Sequence, residues 1–219
     1  MVDITFICLS KSLKNSEYCI AGKVRDEDGT IGQWIRPLNK FGSINDRDCL
    51  YSDKTHATTL DIITATFIDH KPEKFQVENC IIDSDKYWNK IGVYDFSNYA
   101  LDKLCDKPDT LWFNNHQSGG GKNDQVSPEE AKKIQQSLYF IYVNKVTIFV
   151  SRWEGKLKVR GEFVYNHNRY NLKVTDLHWI GYYKDKETGI YHLDNMHITL
   201  SLALETFQGF HYKLIADLI

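Results

Sequence analysis

An excess of one charge sign is what this sequence most plainly lacks: 27 Lys and Arg stand against 29 Asp and Glu, a formal net of -2. That balance excludes a chain that attracts polyanions by its bulk charge, so any nucleic-acid site has to be a local patch. Cysteine is sparse and unpatterned. Cys8, Cys19, Cys49, Cys80 and Cys105 are odd in number and never closer than eleven residues. This excludes a disulfide framework and a Cys-x-x-Cys metal knuckle, and reduced thiols in a cytosolic compartment are the expectation. Long apolar runs are missing too. The most apolar stretch, residues 138–150, is broken by Asn144 and Lys145 and falls short of the roughly 20 residues that cross a bilayer. Residues 1–7 lack the basic flank and apolar run of a signal peptide. A soluble, cytoplasmic chain with no membrane partner is expected.

Recognisable catalytic motifs are absent as well. There is no Gly-x-Ser-x-Gly elbow, and no cysteine sits in a local signature with a base. The run Gly119-Gly120-Gly121-Lys122-Asn123 stops short of a phosphate-binding loop. That motif needs a glycine where His116 stands and a hydroxyl residue where Asn123 stands, so a flexible loop is expected. The spacing of His192 and His197 matches no helical zinc pair. Asp176 follows Val174-Thr175 at a strand end, where a carboxylate more often caps a turn than catalyses. No catalytic residue, metal ligand or cofactor is assigned.

What the sequence does have is aromatic residues, 13 Tyr, 11 Phe and 5 Trp, which favour strands. Strands are expected at residues 4–9, 18–25, 33–37, 60–68 and 76–83, with a polar connection over 39–59. Asp26-Glu27-Asp28-Gly29 is the turn of a hairpin. Residues 97–106 carry helical spacing behind a Ser97 cap. Ser127-Pro128-Glu129-Glu130 combines three helix-start signals, which predict a helix to about residue 136. Further strands are expected at 138–152, 156–165, 169–175, 198–204 and 212–219. Strands recurring every 10 to 20 residues with few helices point to small barrels or sandwiches. The expected organisation is a β lobe over residues 1–96, a helical and loop connector over 97–136, and a second β lobe over 137–219.

Strand side chains alternate between two faces, and here the alternation separates charge. In the first hairpin, Ile20, Val24 and Ile35 on the inside leave Lys23, Arg25, Trp34 and Arg36 on a shared outer face. In the hairpin around Asn166-His167-Asn168, Leu157, Val159, Phe163, Tyr165, Tyr170, Leu172 and Val174 point inward. Lys156, Lys158, Arg160, Arg169 and Lys173 point out. Residues 141–173 hold seven Lys or Arg against two acids, a local excess of five positive charges. Cations on one side of a hairpin, with Tyr and Trp nearby, suit a phosphate backbone and stacked bases. An antiparallel sheet also keeps lysines on one face simply for solubility.

Cys8-Leu9-Ser10-Lys11-Ser12, Tyr18-Cys19-Ile20-Ala21-Gly22 and Gly32-Gln33-Trp34-Ile35-Arg36-Pro37 resemble the opening of the dual OB-containing domain family of bacterial proteins. Gln76-Val77-Glu78-Asn79, Leu111-Trp112-Phe113, the run from Tyr170 to Asp176 and the run from Tyr212 to Ala216 are similar too. The resemblance covers nearly the whole chain. It implies a mainly β fold, two OB-like small barrels with a few short helices between them, and a link to nucleic acid or nucleotides, with a role in defence against mobile elements. It carries over no catalytic residue. Its motif positions add Lys11 and Lys14 to Trp34 and Arg36 as binding candidates, while Tyr18 departs from the basic residue or glycine expected there. OB barrels also bind oligosaccharides and proteins, so fold does not settle function. The expected function is non-catalytic binding of single-stranded or structured nucleic acid. The alternatives are a protein-interaction subunit that docks an effector, and an enzyme acting on a nucleotide or modified base through Asp176, Glu78 or a histidine.

Overall fold

The computed structural model describes residues 1–14 and 17–219, with Lys14 in its backbone alone. Strands dominate, as expected, in two compact units, Met1–Leu104 and Cys105–Ile219. Residues 97–104 fall in the first unit and 105–136 in the second. No helix among the described residues is long and apolar enough to cross a membrane.

The N-terminal unit is built from β1 (Val2–Lys14), β2 (Glu17–Arg25), β3 (Ile31–Leu38), β4 (Asp61–His70), β5 (Asn79–Ile82) and β6 (Asn89–Val93). Its pairings trace a circuit, β1-β2-β3-β5-β4 and back to β1, in which only β3 and β5 run parallel. The sixth strand hangs on β4. Phe6, Cys8, Ile20, Ile35, Ile63, Ala65, Phe67 and Trp88 form the core. The polar connection at 39–59 is more than a loop, because Ile44, Cys49, Tyr51 and Ala57 from it are buried in that core. A short helix, α1 (Asn98–Asp102), begins at Ser97, whose hydroxyl accepts the Ala100 N–H.

The C-terminal unit contains β7 (Gln125–Val126), α2 (Pro128–Ala131), β8 (Leu138–Trp153), β9 (Lys156–Tyr165), β10 (Asn168–Val174), α3 (Leu177–Lys184), β11 (Gly189–Phe207) and β12 (Phe210–Leu218). Here β8-β9-β10-β12-β11 closes into a five-stranded barrel, again through one parallel pair, β10 with β12. The order of strands is the same in both units: first, second, third, fifth, fourth. Burial along β9 and β10 alternates as the sequence pattern requires. Phe163, Tyr170, Leu172, Ile148 and Ile215 fill the inside, each contributing about 1.5–3 kcal/mol of apolar burial.

Tight curvature needs glycine in the second strand of each unit. A side chain at Gly22 would come within 2.1 Å of the Ile7 carbonyl oxygen, and one at Gly161 within 2.5 Å of Ile215. Several elements depart from expectation, among them β6, where no strand was expected. The helix after Ser127 forms its capping box with Glu130 but ends at Ala131. Residues 177–184 are helical, and β11 starts at Gly189 rather than near Ile198.

Candidate nucleic-acid interface

Both units present a second and a third strand side by side, and the candidate cations other than Lys11 and Lys14, which belong to β1, lie on these. In the N-terminal unit Lys23 pairs with Trp34, on the side of the sheet opposite Ile35. The pleat is as expected, but exposure is not. Lys23, Trp34 and Arg36 are 7%, 8% and 7% exposed. The Lys23 ammonium sits 5.3 Å from the centre of the Trp34 ring. Arg36 donates to a single Glu78 oxygen from Nε at 3.1 Å and from Nη2 at 2.9 Å. Its own backbone N–H donates to the Glu78 carbonyl at 2.8 Å. The segment ahead of β5 thus brings an acid onto the cation, and Gln76 and Asn79 are buried beside it in sequence. Arg25 is half-buried at the strand end.

Lys11 has a different fate. Pairing of β1 with β2 shifts between Cys8 and Ser10, after which Lys11 stands opposite Ile20, a core residue. This bulge turns Lys11 to the core side of the sheet. Its Nζ donates to the Ala57 carbonyl at 3.0 Å and lies 4.4 Å from the centre of the Tyr18 ring. The Tyr18 hydroxyl is pushed up to about 12, first by its hydrogen bond to Asp46 and then by burial. The side chain of Lys14 lies outside the described residues.

The C-terminal unit is the reverse case. Trp153 pairs with Lys156, Ser151 with Lys158 and Phe149 with Arg160. Arg160 pairs in turn with Lys173, and Val164 with Arg169. Directly opposed residues share a face, so these side chains form one surface across β8, β9 and β10. Lys156, Lys158, Arg169 and Lys173 are all exposed. No ion pair engages Lys156, Lys158 or Lys173 among the described residues. Trp153 is 64% exposed, and the Lys158 ammonium lies 5.4 Å from the centre of its ring. Acids on this side are few. Glu162 is taken by Arg169 at 2.6 Å, Asp194 stands opposite Lys145, and Glu154 occupies the turn after Trp153.

Arg160 belongs to the surface but is partly committed. Its guanidinium donates to Asn171 Oδ1 at 2.7 Å and to Asp124 at 2.8 Å. Asp124, almost wholly buried, also accepts the Ser118 N–H and hydroxyl. A side chain at Gly121 would collide with that carboxylate at 1.9 Å. The three glycines therefore end in a turn wrapped around Asp124, where a flexible loop was expected. Backbone bonds from Lys122 to Asn171 in both directions then fasten this segment to β10.

Two other charged groups have structural jobs. Asp176 caps α3 by accepting the Trp179 N–H and also accepts from Leu218, and burial pushes its pKa up. Arg152 donates to the carbonyls of Lys184 and Lys186 at the end of α3. The sequence reading missed Lys213 altogether. It is fully buried, donates to the Phe113 carbonyl at 2.6 Å and to Asn114 at 3.1 Å, and lies 5.2 Å from the centre of the Tyr170 ring. Burial lowers its pKa from 10.5 to about 7. Its inward position in the alternation of β12, with Ile215 two residues on, was the available signal.

The description of the dual OB-containing domain matches residues 4–218. No curated protein matches the chain. Among solved structures, a murine DNA-binding protein bound with double-stranded DNA is similar at 9% identity and a TM-score of 0.35. That match covers all of this chain and 99% of the other. A structure described as structural mimicry for functional antagonism is similar at 10% identity and a TM-score of 0.35, covering 97% and 87%. A third, on abrogation of pro-inflammatory cytokine activation, stands at 12% identity and 0.33, covering 100% and 93%. These structural likenesses are too distant to carry a reading of function.

Proposed function

We propose that this chain, which belongs to the dual OB-containing domain family, is a non-catalytic nucleic-acid-binding protein that contacts its ligand through the outer face of β8, β9 and β10. One observation carries the reading. Lys156, Lys158 and Lys173 are exposed on one side of a closed barrel without acid partners among the described residues, beside an exposed tryptophan. The second and third strands of an OB barrel are where that fold binds oligonucleotides, and β9 and β10 hold those places in the circuit. Arg169 and Arg160 extend the cationic surface, tempered by Glu162 and Asp124. Lys23, Trp34 and Arg36, buried in the N-terminal unit, belong to its packing and lie outside the proposed site, as does Lys11.

Lysines on such a face bind by displacing counterions from phosphates. Affinity then falls with salt, by a log–log slope of about -0.7 per phosphate contact on a single strand. The test is a salt titration of a fluorescent oligonucleotide against the natural chain and the Lys156→Glu/Lys158→Glu double variant. Salt-sensitive binding that the variant loses is expected. No binding at low salt, or equal binding by the variant, overturns the proposal.

A docking role toward a protein effector draws on a different observation, the high exposure of Phe41, Phe96 and Phe207 at 83%, 77% and 66%. Co-purification of a partner that survives the double charge reversal favours that reading.

A further inference from the structure

We infer that the outer edge of β11, over residues 191–195, pairs with the same edge of a second copy of this chain, antiparallel and centred on Leu193. This pairing is independent of what the lysine face binds.

Closing a barrel removes the edges of a sheet, yet β11 is longer than the barrel that it closes. It lies against β8 from Gly189 to Ser201 but pairs with β12 only from Ile198 onward. His197 exchanges two backbone hydrogen bonds with Ile219. Before that point no strand or isolated bridge lies on the far side of β11 among the described residues. A free edge offers a row of unpaired N–H and C=O groups, which proteins blunt with lysine, proline, a bulge or a very short strand. The stretch Gly189–Met196 holds no lysine and no proline, and its register with β8 runs without a shift. Asn195, at a φ of 58°, bends the backbone and bounds the free edge at that end.

Charge complementarity selects the occupant. Residues directly opposite across an antiparallel pair share a face of the sheet. With Leu193 facing its own copy, His192 falls opposite Asp194 twice, once on each side of the axis, and both residues are exposed. On the inner face the two half-buried Leu193 side chains meet, and Tyr191 falls opposite Asn195. A centre moved to His192 sets imidazole against imidazole and Ile190 against Asp194, so the complementarity belongs to the Leu193 register. The neighbours on β8 are compatible with it: Asp194 stands opposite Lys145, and His192 opposite Thr147, whose hydroxyl is 3.4 Å from Nδ1 of the ring. The two-fold axis crosses the sheet, so the outer faces of both copies, with Lys156 and Lys158, come to lie on one side of it.

A seam over residues 191–195 is small beside the roughly 20–30 residues a side of a stable complex, so the association is weak and shows itself through concentration. The test is sedimentation velocity of the full chain from about 10 to about 300 µM, comparing the natural chain with His192→Asp and His192→Lys. Position 192 is exposed, so neither variant disturbs the core, and circular dichroism checks the fold. His192→Asp sets like charges opposite each other twice and should weaken the dimer by about tenfold or more. His192→Lys sets a permanent cation opposite Asp194 and should tighten it by about threefold or more. Adding Asp194→Ala to His192→Lys should remove that gain. A natural chain that stays monomeric at the highest concentration overturns the inference. So does a dimer that the two variants leave unchanged or move in the same direction.

Discussion

The second and third strands of the two units hold the same places in the same circuit and carry the same kinds of residue, yet their cations meet opposite fates. In β2 and β3 the side away from the core is sealed, with Lys23 against Trp34 and Arg36 fixed by Glu78. In β9 and β10 that side stays open, and Lys156, Lys158 and Lys173 stand in solvent. Alternation decides which side of a sheet a residue takes, and it does so in both units. Whether that side is covered depends on residues distant in sequence, here an acid 42 positions beyond its arginine. A basic strand face therefore becomes a binding candidate only where nothing else in the chain lies on it.

The sharpest way to break the comparison is to unseal the N-terminal face. Glu78→Ala leaves Arg36 buried beside a lost partner, with side chains 9% and 3% exposed in the intact pair. Urea unfolding should show a loss of about 3–5 kcal/mol, while the folded variant binds oligonucleotide as before. A gain of affinity would mean that the sealed face is a latent site.

Lys213 extends the comparison to a cation buried inside the C-terminal unit, with no ion pair among the described residues. Its pKa is 10.5 when unfolded and about 7 when folded, the fall being due first to burial. Between those values the unfolded chain holds a proton that the folded chain has released, so stability rises with pH from 7 to 10.5 and is lost as pH falls through 7. The gain is on the order of a few kcal/mol. Thermal unfolding across this range measures it, and Lys213→Met should flatten the slope.

On the open face the effects fall on binding. Lys156→Glu/Lys158→Glu should reduce single-strand affinity at 100 mM salt by about thirtyfold or more and lower the salt slope by about 1.4. The unfolding midpoint should stay in place. Arg169→Ala should have the smallest effect. Its guanidinium is 63% exposed and already engaged by Glu162, so affinity should drop by no more than about fivefold, as read by fluorescence anisotropy.

The parts of this molecule that were legible in its sequence are those set by neighbours a few residues away. The β9–β10 hairpin was legible because each side chain faces either core or solvent, and the Ser127 capping box because it closes within three residues. The first half of β11 was not, since residues 189–195 lack a consistently buried side. Helix α3 hid because its Trp and Tyr residues pack on one another and on Tyr191 without an apolar stripe. The parallel closures, β3 with β5 and β10 with β12, join distant strands and leave no local mark. The one-residue bulge at Leu9 reversed the side taken by Lys11. For the candidate site, the outward side of Lys156, Lys158, Arg169 and Lys173 was readable from alternation, whereas the loss of Lys23, Trp34 and Arg36 to burial depended on coverage that alternation does not encode.

Lysine acetylation followed by mass spectrometry, with and without a saturating single-stranded oligonucleotide, reads both faces at once. The account predicts that Lys156, Lys158 and Lys173 react readily in the free protein and are shielded by the oligonucleotide, while Lys23 stays unreactive in both states. Shielding confined to the N-terminal unit, or equal reactivity of the three lysines with and without the bound strand, would contradict it.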